Sequence, residues 1–577
     1  MKKILSTVLV LSMCLAMMVT LTSCGAPKDA GAEIAVYFGE GVYDFDPTDY
    51  YEDSNARQLM SLLFEPLFTL NENGKLGYDI AKSYEINEED NTIVITLRES
   101  YWSDEVQVTA SDFVYSWRDV ILEPNNPNPA AALLYDIENA LEVKSGEKSI
   151  YELGVVATSP TELTIKCRDG ADYSRLLKNL ASINTAPLRE DVVTKDTKPY
   201  WTKTLSIIVT NGPFQVNSIN QETGEFTVAR NLGYHQKSTV KNYVKEVTPA
   251  KLISFISADM DEITLTYSDV VSKTVFYLAD TSLEDRKENK DKAITKDDLS
   301  TYAYVFNTEH PLFANADVRR ALSLALDREA MAEAVTFATA ANGFLPNAVS
   351  GTLEDRISTS DKISEAQEIL DGVNLTGISK TFTLSVNDDA ASIAMANLAK
   401  AAWEELGFKV RIDTLGTVKR TVNDKVTNSD LVIFDSELQV LIKEASYGNR
   451  DFDVVGLDIQ MYSTDPFVAL AAFTSHMNGN GVDYESGDDR LHISGWSLDE
   501  YDKLIDKAYN AKTENARNDA LSAAEKLLLA NAPIAPVVYN TSFGFFSSDV
   551  SGVKFDGFSN LVFTKANLKN YEQYLDD

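Results

Sequence analysis

The hydrophobic pattern changes period sharply between Tyr302 and Glu329. Tyr302, Tyr304 and Phe306 alternate with other residues, the spacing of a strand. After His310-Pro311 the apolar positions become Val318, Ala321, Leu322, Ala325 and Leu326. That is the i, i+3, i+4, i+7, i+8 stripe of a helix, and Asp317 supplies a carboxylate at its positive end. Strand periodicity recurs in Glu33–Phe38, Thr92–Leu97, Tyr151–Val156, Thr161–Cys167, Phe226–Ala229 and Thr381–Val386, and Phe452–Gln460 is a nearly continuous apolar strand. Helices are predicted over Asn55–Phe64 and after Thr109, a good N-cap, with Phe113, Trp117, Val120 and Ile121 inward. Another carries Met395, Leu398, Ala399, Ala402, Trp403 and Leu406 on one face and ends at Gly407, where a C-cap glycine belongs. Phe408, Val410 and Ile412 follow as a strand, so strand–helix–Gly–strand here has the order of a mostly parallel sheet. Ser497–Glu500 reads as a capping box opening a helix with Tyr501, Leu504, Ile505 and Ala508 inward. The charged run Leu283–Asp298 reads as an exposed loop or ragged helix, and Asn428–Asn449 as an insertion.

Length and charge narrow the function. A chain of 577 residues is too long for one core. Its 87 acidic against 52 basic residues leave a formal charge of −35, which disfavours nucleic acid and anionic membrane surfaces. The same charge reads as a solubilising surface, and a preference for cationic ligands stays open beside that. No phosphate-binding loop, zinc-protease helix or nucleophile elbow occurs. The four histidines, His235, His310, His476 and His492, include no i, i+4 pair. No metal, cofactor or catalytic residue is therefore expected; so acidic a chain leaves a glycosidase pair of carboxylates open, but no local feature singles one out.

Met1–Cys24 has the parts of an export signal: Lys2-Lys3, a largely apolar Ile4–Leu21, then Thr22-Ser23. Leu21-Thr22-Ser23-Cys24 fits a lipoprotein processing box in which Cys24 is lipidated; the competing reading is an uncleaved transmembrane anchor. Either puts the rest of the chain outside the cytoplasm. Cys14 and Cys24 leave Cys167 without a partner, so it is expected as a buried free thiol.

Several motifs, in order, resemble one family. Phe45-Asp46-Pro47, Phe64-Glu65-Pro66-Leu67, Ala81-Lys82-Ser83-Tyr84, Trp102-Ser103-Asp104 with Val108-Thr109-Ala110 and Asp112–Trp117, and Thr210–Phe214 each match its pattern. So do Val305-Phe306-Asn307 with Val318-Arg319 through Asp327-Arg328, and Ala532–Tyr539. The chain resembles the extracytoplasmic solute-binding proteins of oligopeptide and dipeptide ABC transporters, family 5, in a lipoprotein form. The resemblance implies an enlarged type II periplasmic-binding-protein-like α/β fold, with mixed sheets flanked by helices and a hinge between two lobes. Its expected organisation is a signal peptide 1–23, a tether 24–32, a first lobe of 33–62, 205–303 and 538–577, an extra domain 63–204, and a second lobe 304–537. Tyr302–Asn307 is expected to cross between the lobes, with Asn307 in the hinge.

The family's ligand is a peptide enclosed between the lobes and paired to protein strands. The resemblance implies ligand contacts from Tyr50, Tyr51 and Glu52, from Tyr267, Ser268 and Asp269, from Tyr304, and from Gln460 and Tyr462. In the family an acidic residue of the second lobe pairs with the peptide's amino group; Tyr462 stands at that position here. Asp458, on the same face if the strand continues, and Asp465 are candidates to supply the charge instead, against readings as a strand-end residue and a turn. Implied partners are a peptide, an ABC permease with its ATPases, and the membrane through the lipid anchor, with the binding protein itself a monomer. An oligosaccharide or another small solute on the same fold is the alternative, and a secreted hydrolase a third reading.

Overall fold

The computed structural model describes residues 31–39, 45–48, 54–193, 201–203, 208–220, 225–235, 243–255, 265–350, 356–424, 429–483 and 485–574. One mixed sheet runs through both lobes. From the second-lobe edge its order is Lys409–Leu415, Thr381–Asn387, Val454–Gln460, Ile294–Phe306, Ile534–Phe546, Tyr277–Leu278, Glu33–Tyr37, Lys251–Phe255, Glu225–Arg230 and Phe214–Asn220, with Ala338–Ala340 added on Ile534–Phe546. Thr381–Asn387 is parallel to both its neighbours and Glu33–Tyr37 to both of its own; the other pairs are antiparallel. The helix between Thr381–Asn387 and Lys409–Leu415 is Ala390–Glu405, and Gly407 follows it at φ +84. This is the predicted parallel unit, closed by a glycine that tolerates the left-handed turn.

Two 13-residue strands join the lobes. Ile294–Phe306 pairs with Ile534–Phe546 along both halves, and the register slips between Asp297 and Thr301. Below the slip, residues 294–297 face 541–544; above it, 301–305 face 534–539. This slip at 297–301 comes just before Tyr302–Asn307, the stretch expected to cross between the lobes. Tyr302–Phe306 is already paired with Val454–Asp458 inside the second-lobe sheet. Asn307 donates to the carbonyls of Arg450 and Phe452, which makes it a strand-end clasp rather than part of the crossing. The charged run before the crossing is a short helix, Leu283–Asn289, one further turn, and the first residues of the crossing strand.

Residues 63–204 carry a separate antiparallel sheet ordered Ala81–Asn87, Thr92–Leu97, Glu162–Lys166, Val155–Ser159. The helix after Thr109 begins with a true capping box to Asp112, then widens to a π-helical turn over Ser116–Ile121. Trp117 in that turn donates Nε1 to the Thr185 carbonyl at 2.9 Å. The stretch Asn428–Asn449, expected as an insertion, holds the strand Ser429–Ser436, paired with Thr417–Asp424 as a hairpin, and the helix Glu437–Ser446. Leu498, not Ser497, is the N-cap of Asp499–Tyr509, and it makes no side-chain cap bond, so the expected capping box does not form. Cys167 is buried and free, and burial pushes its thiol up to about 12.

The cores divide unevenly. Tyr304, Phe306, Phe313, Leu322, Phe382 and Trp403 belong to a second-lobe core of their own. The helices Pro466–Ala471, Asp499–Tyr509 and Glu514–Asn531 instead share one apolar cluster with the first lobe and residues 63–204. Ala131 and Leu133 of the turn Pro129–Leu134 are fully buried, as is Leu470, and these elements meet.

Candidate functional site

The second-lobe strand Val454–Gln460 ends at the hinge, and the chain then bends through 461–465 into helix Pro466–Ala471. This short bend separates two cavities. The larger, about 860 Å³, is walled by residues 170–179 on one side and by second-lobe residues including Ser463, Asp465, Lys512, Arg517 and Glu525 on the other. The smaller, about 380 Å³, is lined by Gln460 and Tyr462 together with Arg57, Glu65, Asn184 and Asp556.

Direct contacts close the lobes around the larger cavity. The Asn128 N–H donates to the Gly479 carbonyl at 2.8 Å, and the Val482 N–H to that of Pro124 at 3.0 Å. Arg490 Nη2 donates to Asn125 Oδ1 at 2.7 Å, Ser463 Oγ to Asn179 Oδ1 at 2.6 Å, and Arg168 Nη2 to the Tyr509 carbonyl at 2.9 Å. Gly481 has φ +66, and a Cβ there would collide with the Pro124 carbonyl, so this approach requires glycine. At the hinge, buried Arg57 of helix Ser54–Leu63 holds Asp298 of the crossing strand at 2.7 Å, Asn560 at 2.9 Å and Gln460. One guanidinium thus ties first lobe, crossing and second lobe together.

The carboxylates expected to anchor a cation are engaged. Asp465 caps helix Pro466–Ala471, accepts two hydrogen bonds from Arg517 Nη2, each 2.7 Å, and lies 3.5 Å from Arg175. Asp458 accepts from Asn540 Nδ2 and lines neither cavity. The strand stops at Gln460, so the alternation that would have put Asp458 on the Tyr462 face is lost at the bend. Gln460 is 5% exposed, and its Oε1 is taken by Arg57. Tyr462 is half-buried against the core and faces the smaller cavity.

The other candidates divide. Tyr304 is 0% exposed, its ring 5.3 Å from that of Trp403 inside the second-lobe core. A strand inside a sheet buries both faces when helices cover it, which the alternating pattern could not reveal. Asp269 closes a capping box with Thr266, accepting from its N–H and its hydroxyl, each at 2.9 Å. Tyr267 packs on Phe545 with ring centroids 5.4 Å apart, while Ser268 is exposed. Tyr50, Tyr51, Glu52 and the lipidation candidate Cys24 lie outside the described residues.

Sequence reading passed over the charged wall of the larger cavity. Arg356 pairs with Glu525, whose Oε1 also accepts the N–H groups of Phe344 at 2.8 Å and Leu345 at 3.0 Å. Glu525 sits on the buried stripe Leu521, Ala524, Leu528 of its helix. A carboxylate inside an apolar stripe was the available signal. In the smaller cavity, burial pushes the Glu65 carboxyl up to about 8, and its Oε2 lies 2.6 Å from His235 Nε2. His235 is pushed down to about 3, first by burial and then by Arg98, whose Nη1 is 2.9 Å from its Nδ1. Among the described residues no His, Cys, Asp and Glu group could hold a metal ion.

This chain resembles known proteins along most of its length. It is 24% identical over 530 residues to the oligopeptide-binding protein OppA of Bacillus subtilis, covering 90% of this chain and 89% of that one. It is 26% identical to a dipeptide-binding protein of Lactococcus lactis, covering 96% of each. The solved structure of the Escherichia coli murein tripeptide binding protein MppA superposes with a TM-score of 0.75 at 22% identity, covering 93% of this chain and 98% of that chain. The family model of the bacterial extracellular solute-binding proteins, family 5 Middle, matches residues 75–480. With two lobes, two joining strands and a cavity between them, this chain belongs to the bacterial extracellular solute-binding proteins of family 5.

Proposed function

We propose that the chain is the lipid-anchored, extracytoplasmic binding component of an ABC importer, which captures oligopeptides between its lobes and delivers them to a membrane permease. It binds and releases; it does not catalyse. The observation that carries this reading is the 860 Å³ cavity between the lobes, within the size range of ligand sites and large enough for several residues. Relatives named for oligopeptide and dipeptide binding support the ligand class. The crossing strands and the Arg57 tie support a hinge on which the lobes open for entry and close for delivery. The membrane tie follows from Leu21–Cys24, with Cys24 as the first mature residue.

A second reading, an oligosaccharide or other small solute in the same cleft, rests on Tyr462, a neutral residue at the position where the family resemblance implies an acid. Thermal-shift screening with peptide and glycan pools separates the two, because a ligand of the folded state raises Tm. Stabilisation by glycans alone would overturn the peptide reading. Mass spectrometry of the mature N-terminus tests the anchor; a terminus elsewhere than a modified Cys24 would refute it.

A further inference from the structure

Away from both cavities, residues 124–128 of the extra domain meet residues 479–490 of the second lobe in a contact built mainly of backbone. The Asn128 N–H donates to the Gly479 carbonyl and the Val482 N–H to that of Pro124. Arg490 adds Asn125 Oδ1 at 2.7 Å and the Asn125 carbonyl at 3.2 Å. None of these residues lines the larger or the smaller cavity. Gly479 stands at φ +80, and a Cβ there would collide with the Asn128 carbonyl.

Each side of the contact is held in shape from within its own lobe. In the extra domain, buried Lys144 donates Nζ to the carbonyls of Ile121 and Glu123, each at 3.0 Å, and to that of Asn126. Asn126 donates in turn to the Val120 carbonyl at 2.9 Å. In the second lobe, buried Asn478 donates Nδ2 to the carbonyls of Thr474 at 2.8 Å and Arg490 at 2.7 Å, and its Oδ1 accepts the Asn480 N–H at 2.7 Å. The groups that face each other across the gap are therefore aimed before the lobes meet, so closing orders little that was free.

Resting on the reading that the lobes open and close on a peptide, we propose that this contact is a latch that favours the closed form by itself. It sets how long any occupant is held, while the cavity sets which occupant is chosen. Its donors and acceptors all belong to the chain, so it needs no ligand atom. A contact made only in the closed form shifts the balance of open and closed forms by the same factor whatever lies in the cavity. Lys144 acts through the loop it holds, which makes it a positioning residue of the latch.

Small-angle scattering on the mature chain, refolded free of ligand, and stopped-flow release of tetraalanine and of tetralysine carry the test. Gly479→Ala blocks the contact, and Gly487→Ala is its control. Gly487 has φ +76 and no described residue within 4 Å of an added Cβ, so both variants carry like backbone strain and only the first meets the other lobe. Gly479→Ala is expected to enlarge the ligand-free protein and to speed release of both peptides about tenfold, and Gly487→Ala to do neither. Asn125→Ala removes one acceptor of Arg490 at a half-buried position and should speed release about threefold. Melting curves verify folding; should Gly479→Ala not fold, Asn125→Ala decides by the same readouts. Unchanged scattering and release, an equal effect in Gly487→Ala, or faster release of one peptide alone overturns the latch. If neither peptide binds the unaltered chain, peptide capture falls, and the scattering of the ligand-free variants still decides the latch.

Discussion

Two groups of arginines behave differently. In Ala316–Val335, buried Arg319 and Arg328 donate to backbone carbonyls. Arg319 reaches those of Asn531 and Phe313, and Arg328 reaches those of Pro536 at 2.7 Å, Ser323 at 3.0 Å and Ser358 at 3.1 Å. Burial lowers both guanidinium groups to about 10. These cations are structural rivets that pin the returning strand, which is why they sit in a recognisable motif. Around Asp465, Arg175 and Arg517 arrive from helices that no motif marks, and they line the larger cavity. The same side chain pins backbone where it meets carbonyls, and joins separate elements where it meets a carboxylate.

Breaking the scaffold side should cost most. Arg328→Met strips partners from several buried carbonyls and is expected to destabilise the protein by about 3–5 kcal/mol in chemical denaturation; a loss below about 1 kcal/mol would contradict the rivet role. Gly481→Val, at the closing contact, forces a collision with Pro124 and is expected to enlarge the protein in small-angle scattering and weaken ligand binding about tenfold or more. Unchanged scattering would show that this contact does not hold the lobes.

The site side should respond less in stability and more in pH and ligand. Glu65 is carried from its ordinary 4.5 to about 8 by burial, so the folded state keeps a proton that the unfolded chain gives up. Stability is therefore highest below about pH 4.5 as far as this group is concerned, and falls as pH rises toward 8, by a few kcal/mol at most. Glu65→Gln should flatten that slope, and an unaltered pH profile of Tm would rule the group out. Asp465→Asn leaves Arg517 and Arg175 underpaired and is expected to cost about 1–3 kcal/mol in chemical denaturation; an unchanged stability would show that this pairing does not hold the elements together. The smallest effect concerns Cys167, whose buried thiol should resist alkylation at pH 8 until the protein is unfolded.

Local pattern carried the elements well. The helix from Ala316, the helix Ala390–Glu405 and the Thr109 cap were all legible because periodicity and capping act between near neighbours in the chain. It misled where a partner far along the chain intervened. Tyr304 alternates like a half-exposed strand residue but is covered by Trp403. Asp458 and Tyr462 share a period only until the bend after Gln460.

Local order of residues set the α/β grammar, the order of the motifs and a neutral side chain at Tyr462. The packed chain settled where Ile294–Phe306 slips register, which core each helix joins and which cation meets Asp465. The physical reason is range: periodicity and capping act between near neighbours, whereas the Arg517–Asp465 pair spans 52 residues of chain and the Arg57–Asp298 pair spans 241. A carboxylate's meaning depends on the cation that reaches it, and that cation is chosen by the fold.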